Sequence, residues 1–97
     1  MKVLAIGSGK APLTDEQKQQ YMPTEVPATL KLYLDGKMEQ FWFRGDVPGV
    51  VFLLNTASVD EAADTIGALP LARAGLLTFQ YIPVGPLMPL GMLLQGR

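Results

Sequence analysis

The sequence contains no cysteine and no histidine among its 97 residues. The absence of thiols excludes disulfides and thiolate nucleophiles, and the absence of imidazole removes the Ser-His and Cys-His couples used in nucleophilic catalysis. Zinc, haem and non-haem iron also lose their usual protein ligands. We therefore expect no metal site, and any catalysis must use carboxylates, tyrosine, lysine, arginine, tryptophan, amides or the backbone.

The sequence also has no large excess of either charge and no long apolar run. Eight basic residues stand against nine acidic ones, for a net charge of −1, and they are scattered along the chain. Nucleic acid is therefore not an expected partner, because binding it depends on clustered cations. No stretch reaches the roughly 18 apolar residues of a membrane span, and the apolar part of the opening MKVLAIGSGK is too short for a signal peptide. These features predict a cytoplasmic protein with no membrane partner.

The length of the chain predicts one domain over residues 1–97. Residues 2–7 (KVLAIG) are typical of a short strand that ends at glycines. Thr14 and Gln17 form a candidate capping box, which predicts a helix from there to Asp35-Gly36. Pro23 and Pro27 fall inside this helix, so we expect a kink or a break near residues 22–27. The face expected to be buried is the apolar one, at Met22, Val26, Leu30 and Tyr33.

The second half of the chain predicts a hairpin, a helix and a strand. Segments 37–44 (KMEQFWFR) and 50–56 (VVFLLNT) are joined by the turn residues GDVPG. A second capping box, Ser58 with Glu61, opens a helix that Pro70 should end, and 76–82 (LLTFQYI) is the last predicted strand. The order βαββαβ predicts an α+β, ferredoxin-like fold, in which two helices cover one face of an antiparallel sheet.

The strand VVFLL, residues 50–54, is apolar on both of its faces, whereas a sheet with one wet face should alternate. Two helices can cover only one side, so we expect a second protomer to cover the other. The proline-rich segment 85–97 is also too apolar to remain uncovered on so small a domain. Both features predict a homodimer or larger homo-oligomer, with segment 85–97 at the protomer interface.

The element order and several local patterns resemble the muconolactone isomerase family over roughly residues 14–84. The patterns that carry the resemblance are DGKMEQFWFR, the glycine turn, the apolar strand, Ser58-Val59 at the helix start and Leu69-Pro70-Leu71 at its end. The resemblance implies a dimeric α+β barrel, in which the sheets of two protomers pair. It also implies an isomerase that moves a proton within a small unsaturated lactone acid, without a metal or an organic cofactor.

Candidate site residues concentrate on the strand 37–44. Simple alternation places Met38, Gln40, Trp42 and Arg44 on one face, and Lys37, Glu39, Phe41 and Phe43 on the other. Trp42 and Gln40 could hold a planar ligand or lie in a dimer interface. Arg44 could stabilise a developing anion or form a salt bridge. Glu39 is the first candidate base, with a pKa that partial burial should raise, unless it pairs with Lys37 or a neighbouring strand.

Five further residues complete the candidate site. Tyr21 and Glu25 lie one helical turn apart beside the prolines, where a pocket could open between helix and sheet, and Glu25 is the second candidate base. Tyr33 and Tyr81 are expected in the core with their hydroxyls at its rim. Asn55 could hydrogen-bond a substrate oxygen or serve in a turn.

These residues favour a cofactor-free isomerase or cyclase that acts by proton transfer on a small, partly hydrophobic carbonyl or lactone compound. A cofactor-independent monooxygenase is the alternative enzyme, and it would depend on Trp42, Tyr33 and Asn55. A non-catalytic oligomeric binding module is the third hypothesis.

Overall fold

The computed structural model describes residues 1–85, which form four strands and three helices. The strands are β1 (Lys2–Ser8), β2 (Met38–Phe43), β3 (Gly49–Asn55) and β4 (Thr78–Val84), and the helices are α1 (Asp15–Leu34), α2 (Val59–Gly67) and α3 (Pro70–Arg73). The strands lie in the order β2-β3-β1-β4, and every neighbouring pair is antiparallel. The predicted ferredoxin-like α+β fold is confirmed. The predicted interface segment lies outside the described residues, apart from Gly85.

The hydrophobic core lies between the helices and one face of the sheet, which we call the helix face. Alternate residues of β1 and β3 point into it, including Val3, Ala5 and Leu54, none of which is exposed to solvent. The helices contribute Ala62 and Ile66 of α2, with further contacts from α1. Alternation therefore directs the other half of each strand onto the opposite surface, which none of the helices α1, α2 and α3 covers and which we call the open face.

A close approach at Gly7 fixes the aromatic part of the core. A Cβ atom at this position would lie 2.6 Å from Cε1 of the Phe79 ring, so only glycine lets the ring rest against β1. Phe79 in turn stacks on Phe52 and on Tyr81, with ring centroids 5.9 and 6.1 Å apart. The three rings lie on the helix face, Phe52 on β3 and Phe79 and Tyr81 on β4, with β1 between these two strands.

Helix α1 differs from the prediction in two respects, and the first is its continuity. The prediction was a kink or a break at the prolines, and the break is wrong, because one helix runs from Asp15 to Leu34 through both Pro23 and Pro27. Both prolines are exposed. The carbonyl groups that they deprive of a donor, at Gln19 and Pro23, therefore belong to solvent-facing residues, where water can satisfy them.

The second difference is the buried face of α1, which was predicted about one residue out of register. Val26, Leu30 and Tyr33 are about half exposed, with 49, 47 and 47% of their surface accessible. The helix instead turns Glu25 inward, and Ala28 and Leu32 pack against the core. The physical reason is a polar contact: the Glu25 carboxylate accepts a hydrogen bond from the Leu71 backbone N–H of α3.

In both predicted capping boxes, the hydroxyl of the N-cap residue accepts a hydrogen bond from the backbone N–H three residues later. Thr14 accepts from the Gln17 N–H while the Gln17 side chain accepts from Thr14, and Ser58 accepts from the Glu61 N–H. Pro70 was expected only to end a helix. It occupies the first turn of α3, where proline is tolerated because the missing N–H has no helical partner.

Candidate functional site

The open face of the sheet is apolar in its middle and polar at its two ends. The strand register places Leu4 and Ile6 of β1, Val51 and Leu53 of β3 and Ile82 of β4 on this face. Trp42, which pairs with Val51, adds an indole that is 47% exposed. An exposed apolar surface with polar groups around its margin is typical of an interaction surface.

A β-bulge in β2 determines which residues reach the open face. Met38 pairs with Leu54 and Gln40 with Leu53, so Glu39 is the extra residue between them. The predicted alternation is correct for Gln40, Trp42 and Arg44, but it is wrong for Met38 and for Glu39, which were expected on the open face and on the helix face respectively. Met38 is 1% exposed in the core on the helix face, because the bulge reverses the alternation at this point. Bulges often re-aim a side chain next to a functional site, and this one turns Glu39 toward the open face.

Glu39 is held there by two donors from two other strands. The Lys2 ammonium forms an ion pair with its Oε1 atom, and Asn55 Nδ2 donates to the same oxygen at 2.7 Å. Lys2 and Asn55 are themselves opposite each other in the β1–β3 ladder. No residue within the described range 1–85 donates to Oε2. One carboxylate oxygen is therefore fixed, and among residues 1–85 nothing occupies the other, which can accept a hydrogen bond from a ligand.

The electrostatics of Glu39 differ from the prediction. The hydrogen bond from Lys2, and then that from Asn55, lower the pKa of Glu39 below its ordinary value of 4.5, and desolvation opposes them only in part. The expectation that partial burial would raise this pKa is wrong, because about a third of the side chain is exposed and two donors stabilise its charge. At neutral pH Glu39 is a carboxylate.

Arg44 lies at the other end of the open face. Its Nε and Nη2 atoms donate to the two oxygens of Asp46 at 3.0 and 2.6 Å, and Nη1 donates to Ser8 Oγ at 2.7 Å. The hydrogen bonds between Arg44 and Asp46 raise the pKa of Arg44 and are the main cause that lowers the pKa of Asp46 to about 2. The salt bridge that the sequence left open is thus present. Of the five guanidinium N–H groups, two have no partner within the described part of the chain, residues 1–85.

The structure therefore separates the two charged candidates. Glu39 is anchored beside Lys2, at the start of β1, and Arg44 beside Ser8, at its end. The strand rise puts Glu39 and Arg44 about 16 Å apart along β2. Gln40 and Trp42 lie between them on the same face. A ligand the size of one six-membered ring can contact Trp42 together with either end, but it does not span both ends of one chain.

The remaining candidates lie on the helix side. Glu25 is only 7% exposed, and its Oε1 accepts from the Leu71 N–H at 2.9 Å, so it joins α1 to α3. Tyr21, on the same helix, is half-buried. Tyr33 is 47% exposed rather than buried and contacts the edge of the Phe41 ring. Tyr81 packs against the core, and desolvation raises its pKa. None of these four shares a face of the sheet with Glu39.

Sequence reasoning did not find Lys2, which pairs with Glu39, nor Ser8 and Asp46, which hold Arg44. A lysine at the first position of an opening strand carries no local signal of function. Its partner is 37 residues away and is reached across β3. The register of β1 against β3, which aligns Lys2 with Asn55, is the information that would have been needed.

A cleft lies on the opposite side of the sheet from Glu39. It is formed by the loop after β1, the first turns of α1, the start of β3 and the segment between α3 and β4, and it encloses about 400 Å³. Its lining residues within 1–85 are mainly apolar and include no carboxylate. The carboxylate of Glu39 is therefore on the open face and not in this cleft.

Comparison with known proteins supports the fold. No family model matches the sequence, and no curated protein is significantly similar to it. Among solved structures, the chain is similar to 5-chloro-2-hydroxyhydroquinone dehydrochlorinase from Burkholderia phenoliruptrix AC1100, in complex with 2,5-dihydroxybenzoquinone. The TM-score is 0.70 and the identity 15%, with 88% of this chain and 94% of the other covered. At this identity the likeness establishes a shared fold.

Within residues 1–85, no helix combines the length and the apolar character needed to cross a membrane.

Proposed function

We propose that this protein is a cofactor-independent enzyme of the isomerase or cyclase type, which moves a proton within a small cyclic carbonyl or lactone compound on the open face of its sheet. The observation that carries the proposal is the position of Glu39. A bulge places its carboxylate on a face that is otherwise apolar in the middle, and two donors bind Oε1 while Oε2 stays available.

The lowered pKa of Glu39 limits the chemistry that it can perform. A carboxylate stabilised by Lys2 and Asn55 is always ionised at neutral pH, but it is a weak base. It is suited to a C–H bond that is already acidic, such as one between a carbonyl group and a carbon–carbon double bond. Oε2 removes that proton, the electron pair delocalises onto the carbonyl oxygen as an enolate, and the proton returns to the far end of the conjugated system.

The rest of the open face supports a flat ligand. Trp42 offers an exposed aromatic ring beside the apolar residues of β3 and β1, and Gln40 adds an amide at the margin. The structural neighbour with the same fold holds a flat, oxygen-substituted ring, 2,5-dihydroxybenzoquinone. A substrate of this class, and the resemblance to the muconolactone isomerase family, both agree with proton transfer next to a carbonyl group.

The proposed enzyme acts as a homodimer or larger homo-oligomer. The open face has an apolar middle that no helix covers, and a ligand bound there would remain in water on one side. A second copy of the chain would exclude that water and strengthen the electrostatic interactions of Glu39. In this arrangement Arg44, fixed by Asp46 and Ser8, is a positive group at the margin of the site.

The alternative monooxygenase loses support from the geometry. It would use Trp42, Tyr33 and Asn55, but Tyr33 contacts Phe41 on the helix side, whereas Trp42 and Asn55 lie on the open face. A non-catalytic binding module would use the same open face as the proposed enzyme. It differs from the enzyme only in having no turnover.

The test is the isomerisation of a β,γ-unsaturated five-membered lactone to its conjugated isomer, followed by ultraviolet absorbance. We expect catalysis by the wild type and a rate at least about tenfold lower for Glu39→Gln, which keeps the shape of the side chain but not its basicity. Glu16→Gln, on the exposed start of α1, is the matched control. An unchanged rate in Glu39→Gln would overturn the assignment of the base. Saturable binding of 2,5-dihydroxybenzoquinone without any turnover would identify a binding module instead.

A further inference from the structure

The cleft on the helix side has the composition of a ligand site that is separate from the proposed catalytic face. Its walls come from α1, α3, the last residue of β2 and the start of β3. These elements are in contact with one another in the fold. Most of its side chains are aliphatic, including Leu13, Met22, Leu71 and Leu77. Its volume of about 400 Å³ is at the lower end of the range of small-molecule pockets, which suits a ligand smaller than a typical drug.

Phe43 is an exposed aromatic side chain at the edge of the cleft. The side chain lines the cleft, yet it is 91% exposed, the highest value among the exposed large hydrophobic residues within 1–85. Val50, its partner across the β2–β3 ladder, lines the same cleft and packs against the core. A phenyl ring so exposed beside an apolar cavity can cover a bound apolar group and remove it from water.

Lys18 gives the cleft its charge. It is the one charged residue among the described lining residues, and it forms no ion pair with another residue of the range 1–85. The nearest charged groups along β2 and the following turn, Arg44 and Asp46, are already paired with each other. The cleft is thus an apolar cavity with one solvent-exposed lysine at its edge, and this lysine has no ion-pair partner within residues 1–85.

We propose that this cleft binds a small amphipathic monoanion, with an apolar or aromatic body between Phe43 and the leucines and a carboxylate at Lys18. The positive charge of Lys18 favours an acid over an amine in this cleft. The site is distinct from the open face, so it does not depend on the catalytic role of Glu39. Loss of the lactone activity would leave this proposal standing, and absence of binding here would leave the activity standing.

The experiment is a titration of the full-length, ¹⁵N-labelled protein with 3-phenylpropanoate, followed by amide chemical shifts, and a parallel titration with the neutral 3-phenylpropanamide. We expect saturable shifts at the cleft amides of Gly9, Gly49 and Leu77. Lys18→Met should weaken the acid about fivefold and leave the amide unchanged, as one partly solvated ion pair allows. Lys37→Met, an exposed lysine outside the cleft, is the matched control and should change neither.

The same spectra show whether each variant is folded, so a folding failure is recognised directly. The proposal is overturned if the acid produces no saturable shift, or if the shifts fall on open-face residues such as Gln40 and Val51. Equal weakening of acid and amide by Lys18→Met would also overturn it, since the lysine would then act through structure and not through charge. Cleft shifts that depend on protein concentration alone would show that a second copy fills the cleft, which likewise refutes a small anion.

Discussion

Replacement of Glu25 should reveal a buried carboxylate that holds two helices together. Its side chain is 7% exposed, Oε1 accepts from the Leu71 N–H at 2.9 Å, and Oε2 lies 3.4 Å from the Thr29 hydroxyl. Glu25→Ala leaves the Leu71 N–H without its partner, which costs about 1 to 3 kcal/mol, and adds lost packing. We expect the free energy of unfolding to fall by about 2 to 3 kcal/mol. Glu25→Gln keeps an acceptor oxygen and should lose about 1 kcal/mol.

Urea unfolding at one fixed protein concentration measures these differences, since assembly would otherwise shift the apparent stability. Hydrogen exchange at the Leu71 amide provides a local readout, and its protection should fall more than that of the β1 amides. Thr29→Val is the control. Removal of the Thr29 hydroxyl eliminates only its long contact to Glu25 Oε2 and its bond to the Glu25 carbonyl, and it leaves the bond between Glu25 and Leu71 in place. A Glu25→Ala variant within about 0.5 kcal/mol of the wild type, the range of ordinary surface substitutions, would refute the reasoning.

Two further predictions concern the open face and its charged margin. Leu53→Lys places a charge in the middle of the open face, so light scattering at micromolar concentration should show a smaller assembly than for the wild type, while Gln20→Lys on exposed α1 should leave it unchanged. A wild type that is already monomeric would refute the proposed assembly. The pKa of Asp46 falls from its ordinary value of 3.8 to about 2 on folding, so its stabilisation is complete above pH 3.8 and is lost as the pH falls through about 2. Asp46→Asn should therefore flatten the acid limb of the stability curve in this window, and an unchanged limb in urea titrations would contradict the ion pair with Arg44.

Local chemistry explains why much of the fold was predictable. The hydroxyl of Thr14 and the side chain of Gln17 are three residues apart, and the bonds between them form within one turn of helix. Ser58 begins α2 for the same reason. The glycine and proline turn between β2 and β3 also acts over a few residues. Interactions of this range are visible in the order of the residues, and they were sufficient for the element order and the ferredoxin-like topology.

Part of the candidate site could be predicted in the same way. Period-two alternation correctly grouped Gln40, Trp42 and Arg44, because side chains of a regular strand alternate whatever lies beside it. The two-faced apolar strand β3 similarly indicated that both faces of the sheet carry apolar residues. These statements require only that the segment be a strand.

What the sequence by itself determined is therefore the four strands and the two longer helices, their order, and the face of the regular strand residues Gln40 and Trp42. Tertiary structure alone decided the bulge at Glu39, the inward turn of Glu25 and the contact of Lys2 with Glu39, which are separated by 37 residues. The physical reason is the same in each case. A buried or charged group takes the orientation in which its hydrogen bonds are satisfied, and the partners that satisfy these groups, Leu71, Asn55 and Lys2, come near only after the chain has folded.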